Sequence, residues 1–182
     1  MTRSARIGIR FSAVSAFSSD TGAGEGMAKW MTLTAPAALV MSVGSAAHAV
    51  QYLTIAEAQK QAFPSATSFA VVQADRIWRA EAAGRVLGFF IFDRVIGKHL
   101  FIDYAVALEP GGRIRKVEIL QYRESYGGEI RSPSWLAQFV GKSSASALQV
   151  GNDIRNISGA TLSSHHVTEG VKRIMSIASR LK

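Results

Sequence analysis

No cysteine occurs among the 182 residues, and that absence excludes disulfides, thiolate metal sites, Cys nucleophiles and a lipid-anchored Cys together. Proline is scarce at four residues, and each one punctuates the chain: Pro36 interrupts an apolar run, Pro64 stops a helical pattern, Pro110 sits in a turn and Pro133 opens a helix. No run of basic residues is present. The formal charge of +8 is scattered along the chain, which is a poor footprint for nucleic acid or an anionic membrane surface. Neither an internal repeat, a low-complexity tract nor an interdomain linker interrupts the sequence. With 48% hydrophobic and 19% charged residues, the chain has the composition of a folded globular protein rather than a disordered tail.

The first quarter differs from the rest. Lys29 precedes "WMTLTAPAALVMSVGSAA", residues 30–47, which carries no charge, and "AHA" follows at residues 47–49. A positive start, an apolar run and an A-x-A site predict a secretory signal peptide cleaved after Ala49. The alternative is a membrane anchor that leaves the rest of the chain facing the periplasm, but Pro36, Gly44 and the Ala and Ser content suit cleavage better than a stable span. Residues 1–26 are either a long basic n-region or a stretch upstream of a start at Met27. The expected organisation is an extension and signal peptide over 1–49 and one domain over 50–182. Cleavage removes four of the 21 Lys/Arg and two of the 13 Asp/Glu, leaving 17 and 11 and a net charge of +6. An exported protein does not ordinarily meet chromosomal nucleic acid, so no nucleic-acid partner is expected. A domain of this size buries roughly two-thirds of its unfolded surface, enough for a core without disulfides.

Within 50–182, Thr54 and Glu57 form a T-x-x-E capping box for a short helix that Pro64 stops. The stretch 68–122 is rich in Val, Ile, Phe and Tyr and is broken by Gly84, Gly97 and "EPGG" at 109–112, which predicts three to five antiparallel strands. The clearest hairpin joins 100–108 to 113–122. "SPSWLAQFVG" reads as a second short helix with Ser132 as its cap, Pro133 at the first position and Gly141 at its end. Val167, Val171, Ile174, Ala178 and Leu181 form one apolar stripe, while Lys172, Arg173, Arg180 and Lys182 keep to other faces or the end. The expected fold class is α+β: an antiparallel sheet covered by short helices, with a C-terminal helix after an S-G-A-T motif.

Several motifs fail on their own spacing. "VGKSS" at 140–144 resembles the end of a P-loop, but the required first Gly falls at Leu136 and the preceding segment is helical. His165 and His166 are adjacent, so a helix turns them about 100° apart and they cannot clasp one metal; they read as surface histidines. Ser163 and Ser164 beside His165 lack any G-x-S-x-G elbow. No catalytic residue and no metal ligand is therefore nominated.

"NISGATLSSHH", residues 156–166, is different. Gly159 and Ala160 have almost no side chain, so a bulky ligand can approach the backbone, and the first N–H groups of the following helix are unpaired. Such a place suits phosphate. A Thr hydroxyl among those donors can itself be esterified, because donors that hold a phosphate also stabilise the charge that develops during its transfer.

"SGATLSS" resembles the S/T-G-A-T signature of the FMN-binding domain family, in which FMN is joined through its phosphate to the threonine, as in flavinylated subunits of sodium-pumping NADH:quinone reductases and Rnf-type complexes. "YRESYGGEI", 122–130, is similar to the family's flavin loop, and "WLAQFVGK", 135–142, to its W-x-x-Q-F-x-G-K segment. Arg155 stands where many members carry Asp, with Asp153 two residues earlier. The resemblance implies that Thr161 is the covalent attachment residue and that Ser158, Gly159, Ala160, Leu162 and Ser163 frame the phosphate. It places Glu124, Ser125, Tyr126, Gly127 and Gly128 near the flavin ring. Taken singly, Glu124, Tyr126, Gly127 and Gly128 also read as ordinary turn residues, and Trp135 and Phe139 as helix core.

The resemblance further implies covalent FMN as the cofactor, installed by a flavin transferase that uses FAD and Mg²⁺, and membrane redox proteins as electron donor or acceptor. The expected function is an exported electron-transfer flavoprotein, more a carrier or component of an oxidoreductase system than a stand-alone enzyme. The chain has no G-x-G-x-x-G dinucleotide loop, against an NADH reductase of its own. The alternative is a non-redox exported module that binds an anionic ligand at the helix N-terminus.

Overall fold

The computed structural model describes residues 50–178, 180 and 181. The expected signal segment and the residues before its cleavage point lie outside the described residues. Among the described residues no helix is long and apolar enough to cross a membrane.

The fold is α+β, as the pattern of residues implies. Six antiparallel strands, β1 (Val50–Gln51), β2 (Ser68–Gln73), β3 (Ile77–Ala82), β4 (Arg85–Ile96), β5 (Phe101–Leu108) and β6 (Ile114–Tyr122), form one sheet in the order β1-β6-β5-β4-β3-β2. Strands β2 to β6 are thus a plain meander, and the expected hairpin is the β5–β6 pair, with Val106 opposite Val117. The sixth strand, β1, has two residues and gave no periodic signal.

Helix α1 (Ile55–Ala62) starts at the expected capping box: Thr54 accepts from the Glu57 N–H at 3.2 Å, and the Glu57 carboxylate accepts from the Thr54 N–H at 2.8 Å. The reciprocal pair satisfies two donors at the helix start. Helix α2 is shorter than its sequence suggests. It spans Pro133–Leu136, Ser132 makes no side-chain cap bond, and a 3₁₀ turn, Ala137–Phe139, completes the segment. Helix α3 (Thr161–Ala178) buries Val167, Val171, Ile174 and Ala178, the expected stripe, while Leu181 packs on the core beyond its end.

The sheet is covered on both faces, and β5 shows why. Its residues Ile102, Tyr104, Val106 and Leu108 belong to a core shared with α3 and the α2 segment. Ala105 and Ala107 point the other way, into a core with Ala58, Ala62 and Phe63 of the α1 region. Period-two alternation explains the division, and the small alanines let α1 approach closely. Trp135 and Phe139 are buried with their rings edge to face at 5.1 Å, so both are core residues.

Candidate functional site

The start of α3 is held by a glycine turn. Gly159 takes φ +86°, the left-handed conformation that an L side chain rarely adopts. The Ala160 N–H then donates to the Ile157 carbonyl at 3.0 Å, and the Ser164 N–H to the Ala160 carbonyl at 2.9 Å. Between them, the N–H groups of Thr161, Leu162 and Ser163 have no acceptor among the described residues. Three adjacent free donors at the positive end of an 18-residue helix favour an anion there.

These donors open onto a cleft of about 520 Å³ lined by Gly159, Ala160, Thr161, Leu162 and Ser163 on one side. Glu124, Ser125 and Tyr126 form a second wall, and Lys98 and His99 a third. The volume lies within the range of cofactor clefts, roughly 300–1,000 Å³. Most of the residues nominated from sequence therefore meet around one space. Gly127 stands just behind it: at φ +89°, a Cβ added there would lie 2.6 Å from the Tyr122 hydroxyl and 3.1 Å from the Ala160 Cβ. Gly128 opens the 3₁₀ turn Gly128–Arg131 and has no such neighbour. Ser158 lines an adjoining hollow with Glu129, Trp135, Gln138, Arg155 and Asn156.

The sequence did not single out Lys98 and His99. They sit between β4 and β5, and two distant side chains hold their loop. The Glu124 carboxylate accepts from the backbone N–H of His99 at 2.5 Å and of Leu100 at 2.8 Å. From α3, the His166 Nδ1 lies 2.6 Å from the Ile96 carbonyl and 3.0 Å from that of Gly97, so Nδ1–H is the donor. His166 is thus a clasp within the fold rather than a surface histidine, while His165 is exposed. Partial burial works to raise the pKa of Glu124, and the backbone donors Leu100, His99 and Lys98 outweigh it, leaving the carboxyl below its ordinary value.

A second set of bonds fixes the approach to Thr161. Trp135 Nε1 donates to the Arg155 carbonyl at 2.8 Å, the Arg155 N–H to Gln138 Oε1 at 2.9 Å, and Lys142 Nζ to Asp153 at 2.9 Å. The three polar positions of W-x-x-Q-F-x-G-K therefore all grip the chain just before the S-G-A-T turn. Behind the cleft, the Tyr122 hydroxyl donates to the Tyr126 carbonyl and lies 3.3 Å from Ser163 Oγ. Burial pushes that hydroxyl's pKa up. Among the described residues no group of three or more His, Cys, Asp or Glu is placed to hold a metal ion.

Residues 97–176 match the model of the FMN-binding domain family. The match places an FMN-binding domain over these residues. The matched stretch runs from the Lys98 loop to the last turns of α3, so the FMN-binding domain contains all three walls of the cleft. FMN is accordingly the cofactor class of the domain. The residues present suit it: free helix amides and Lys98 for a phosphate, and an open, mostly apolar mouth with Tyr126 and Leu162 for a ring. No curated protein matches the sequence.

Proposed function

We propose that the chain is an exported electron-transfer flavoprotein carrying FMN in phosphoester linkage to Thr161. The observation that carries this reading is the place of the Thr161 hydroxyl: exposed, on the first residue of α3, beside three unpaired N–H groups and on the wall of the cleft in an FMN-binding domain. Of the nearby hydroxyl rivals, Ser163 and Ser164 are buried, and Ser158, which is exposed, lines the adjoining hollow rather than the cleft.

Bound flavin supplies one- and two-electron chemistry. The chain's own residues hold it: the amides of residues 161–163 and Lys98 bind phosphate, and the walls at 98–99 and 124–126 confine the ring. A flavin transferase using FAD and Mg²⁺ performs the attachment, and membrane redox proteins exchange electrons with the loaded domain. Export makes a covalent bond useful, because a cofactor lost outside the cytoplasm is not readily replaced. The residues at 30–49 support that location through their signal-peptide pattern.

The test is the intact mass and in-gel flavin fluorescence of protein made in its own host. Wild type carries one FMN, and Thr161→Ala carries none while folding normally. Flavin retained in Thr161→Ala, or mapped to Ser158, Ser163 or Ser164, overturns the assignment. N-terminal sequencing of the same sample gives Val50 if residues 1–49 are cleaved; a retained apolar run converts the reading to an anchored protein.

A further inference from the structure

Thr161 Oγ1 has one side-chain partner among the described residues, and it is Asn156. The Asn156 Nδ2–H donates to Thr161 Oγ1 at 3.2 Å. The same amide is anchored at its other end: Asn156 Oδ1 accepts from Ser164 Oγ–H at 2.7 Å, and Ser164 is fully buried. Ser164 is held in turn, since its Oγ lies 2.9 Å from the Thr161 carbonyl and its own carbonyl accepts from Thr168 Oγ1 at 2.7 Å. The backbone just before Asn156 is gripped by Trp135 and Gln138 through Arg155. An exposed amide is thus fixed from both directions with its donor aimed at one hydroxyl.

We infer that Asn156 is a positioning residue for covalent loading, holding the Thr161 hydroxyl in the rotamer that presents it to the incoming phosphoryl group; the inference rests on Thr161 being the attachment residue. In the transfer, a Thr161 Oγ–P bond forms and the pyrophosphate P–O bond of a flavin dinucleotide breaks. AMP leaves with the electron pair, and the hydroxyl proton passes to a base of the transferase. A hydrogen bond donated to Oγ1 occupies one lone pair, leaves the O–H free for that base, and stabilises the negative charge that grows on oxygen as the proton departs. A carboxylate in the same place would do the reverse.

Two variants separate these roles. Asn156→Asp keeps size and the acceptor toward Ser164 but loses the donor; Asn156→Leu keeps approximate volume and loses both. Each is offered as substrate to a flavin transferase with FAD and Mg²⁺, and FMN incorporation is followed by intact mass over a range of carrier concentrations. The expected result is a fall in kcat of about five- to tenfold in Asn156→Leu, the rate equivalent of one hydrogen bond, and at least as large a fall in Asn156→Asp, with KM for the carrier unchanged in both; the melting temperature is unchanged in Asn156→Asp, which keeps the bond from Ser164. A merely structural role would raise KM, or lower the melting temperature of Asn156→Asp, instead. Asn156→Asp loaded at the wild-type kcat, or both variants showing only a raised KM, overturns the inference while leaving Thr161 as the attachment residue. Wild type that takes up no flavin overturns the attachment reading itself.

Discussion

Replacing Asp153 by Asn tests how the approach to the site is held. The Asp153 carboxylate accepts from Lys142 Nζ at 2.9 Å, the Gln149 N–H at 2.8 Å and the Leu148 N–H at 3.2 Å. It therefore ties down a buried leucine in a conformation that leucine rarely adopts, φ +45° at Leu148. Partial burial of Asp153 opposes ionisation, but the Gln149 N–H, Lys142 and the Leu148 N–H prevail and bring its pKa from 3.8 to about 2. By linkage that drop corresponds to about 2 kcal/mol. The carboxylate keeps 22% of its side-chain surface in water, so about 1–2 kcal/mol is the working figure after solvent screening. The sign follows from a depressed pKa: the contribution is present above the unfolded value of 3.8 and fades as pH falls through about 2. Asp153→Asn should lower the melting temperature at pH 7 by roughly 4–8 °C for a domain of this size. The gap should narrow below pH 4, where Asp153 in the unfolded wild type becomes protonated. Melting by circular dichroism across pH 3–7 measures it. A variant as stable as wild type at pH 7, or a gap that stays constant to pH 3, refutes the argument.

Two further outcomes follow from the cleft. Gly127→Ala meets both an unfavourable φ and a crowded Cβ position, costing about 2–4 kcal/mol in melting experiments, whereas Gly128→Ala, with nothing near its Cβ, should be close to neutral; equal effects would remove the packing argument. Because the added carbon presses on Ala160, Gly127→Ala should also change the visible spectrum of bound flavin. Lys98→Gln removes a cation from the cleft wall and should lower the two-electron midpoint potential by about 20 mV, the equivalent of about 1 kcal/mol; an unchanged potential would place Lys98 away from the flavin ring, at the phosphate alone.

The fold was legible where the signal is local. A capping box, a Pro-Gly-Gly turn and a 3.6-residue stripe each act over a few residues, and α1, the β5–β6 hairpin and α3 sit where those patterns put them. The α2 segment was legible as a helix but not in length, because only four residues stay α-helical before the chain tightens. The site was half legible. Residues 159–163 and 124–126 came from motif resemblance, but Lys98 and His99 enter through a loop held by Glu124 and His166, 24 to 70 positions away. Nothing in the sequence around Lys98 announces that clasp. The functions of Trp135, Gln138 and Lys142 were hidden for the same reason: their partners Arg155 and Asp153 become neighbours only in the folded chain.

The two cores on opposite faces of β5 divide the molecule's tasks in a way that matters for engineering. The cleft is built on the α3 side, with Tyr122 and the start of α3 as its footing, while α1 sits over alanines on the far side. A library confined to Ala58, Ala62, Ala80, Ala105 and Ala107 would vary heat tolerance with the whole thickness of the sheet between each change and the flavin. Screening for stability there would leave the flavin-binding cleft untouched, whereas the same search on the α3 side would disturb the footing of the cleft itself.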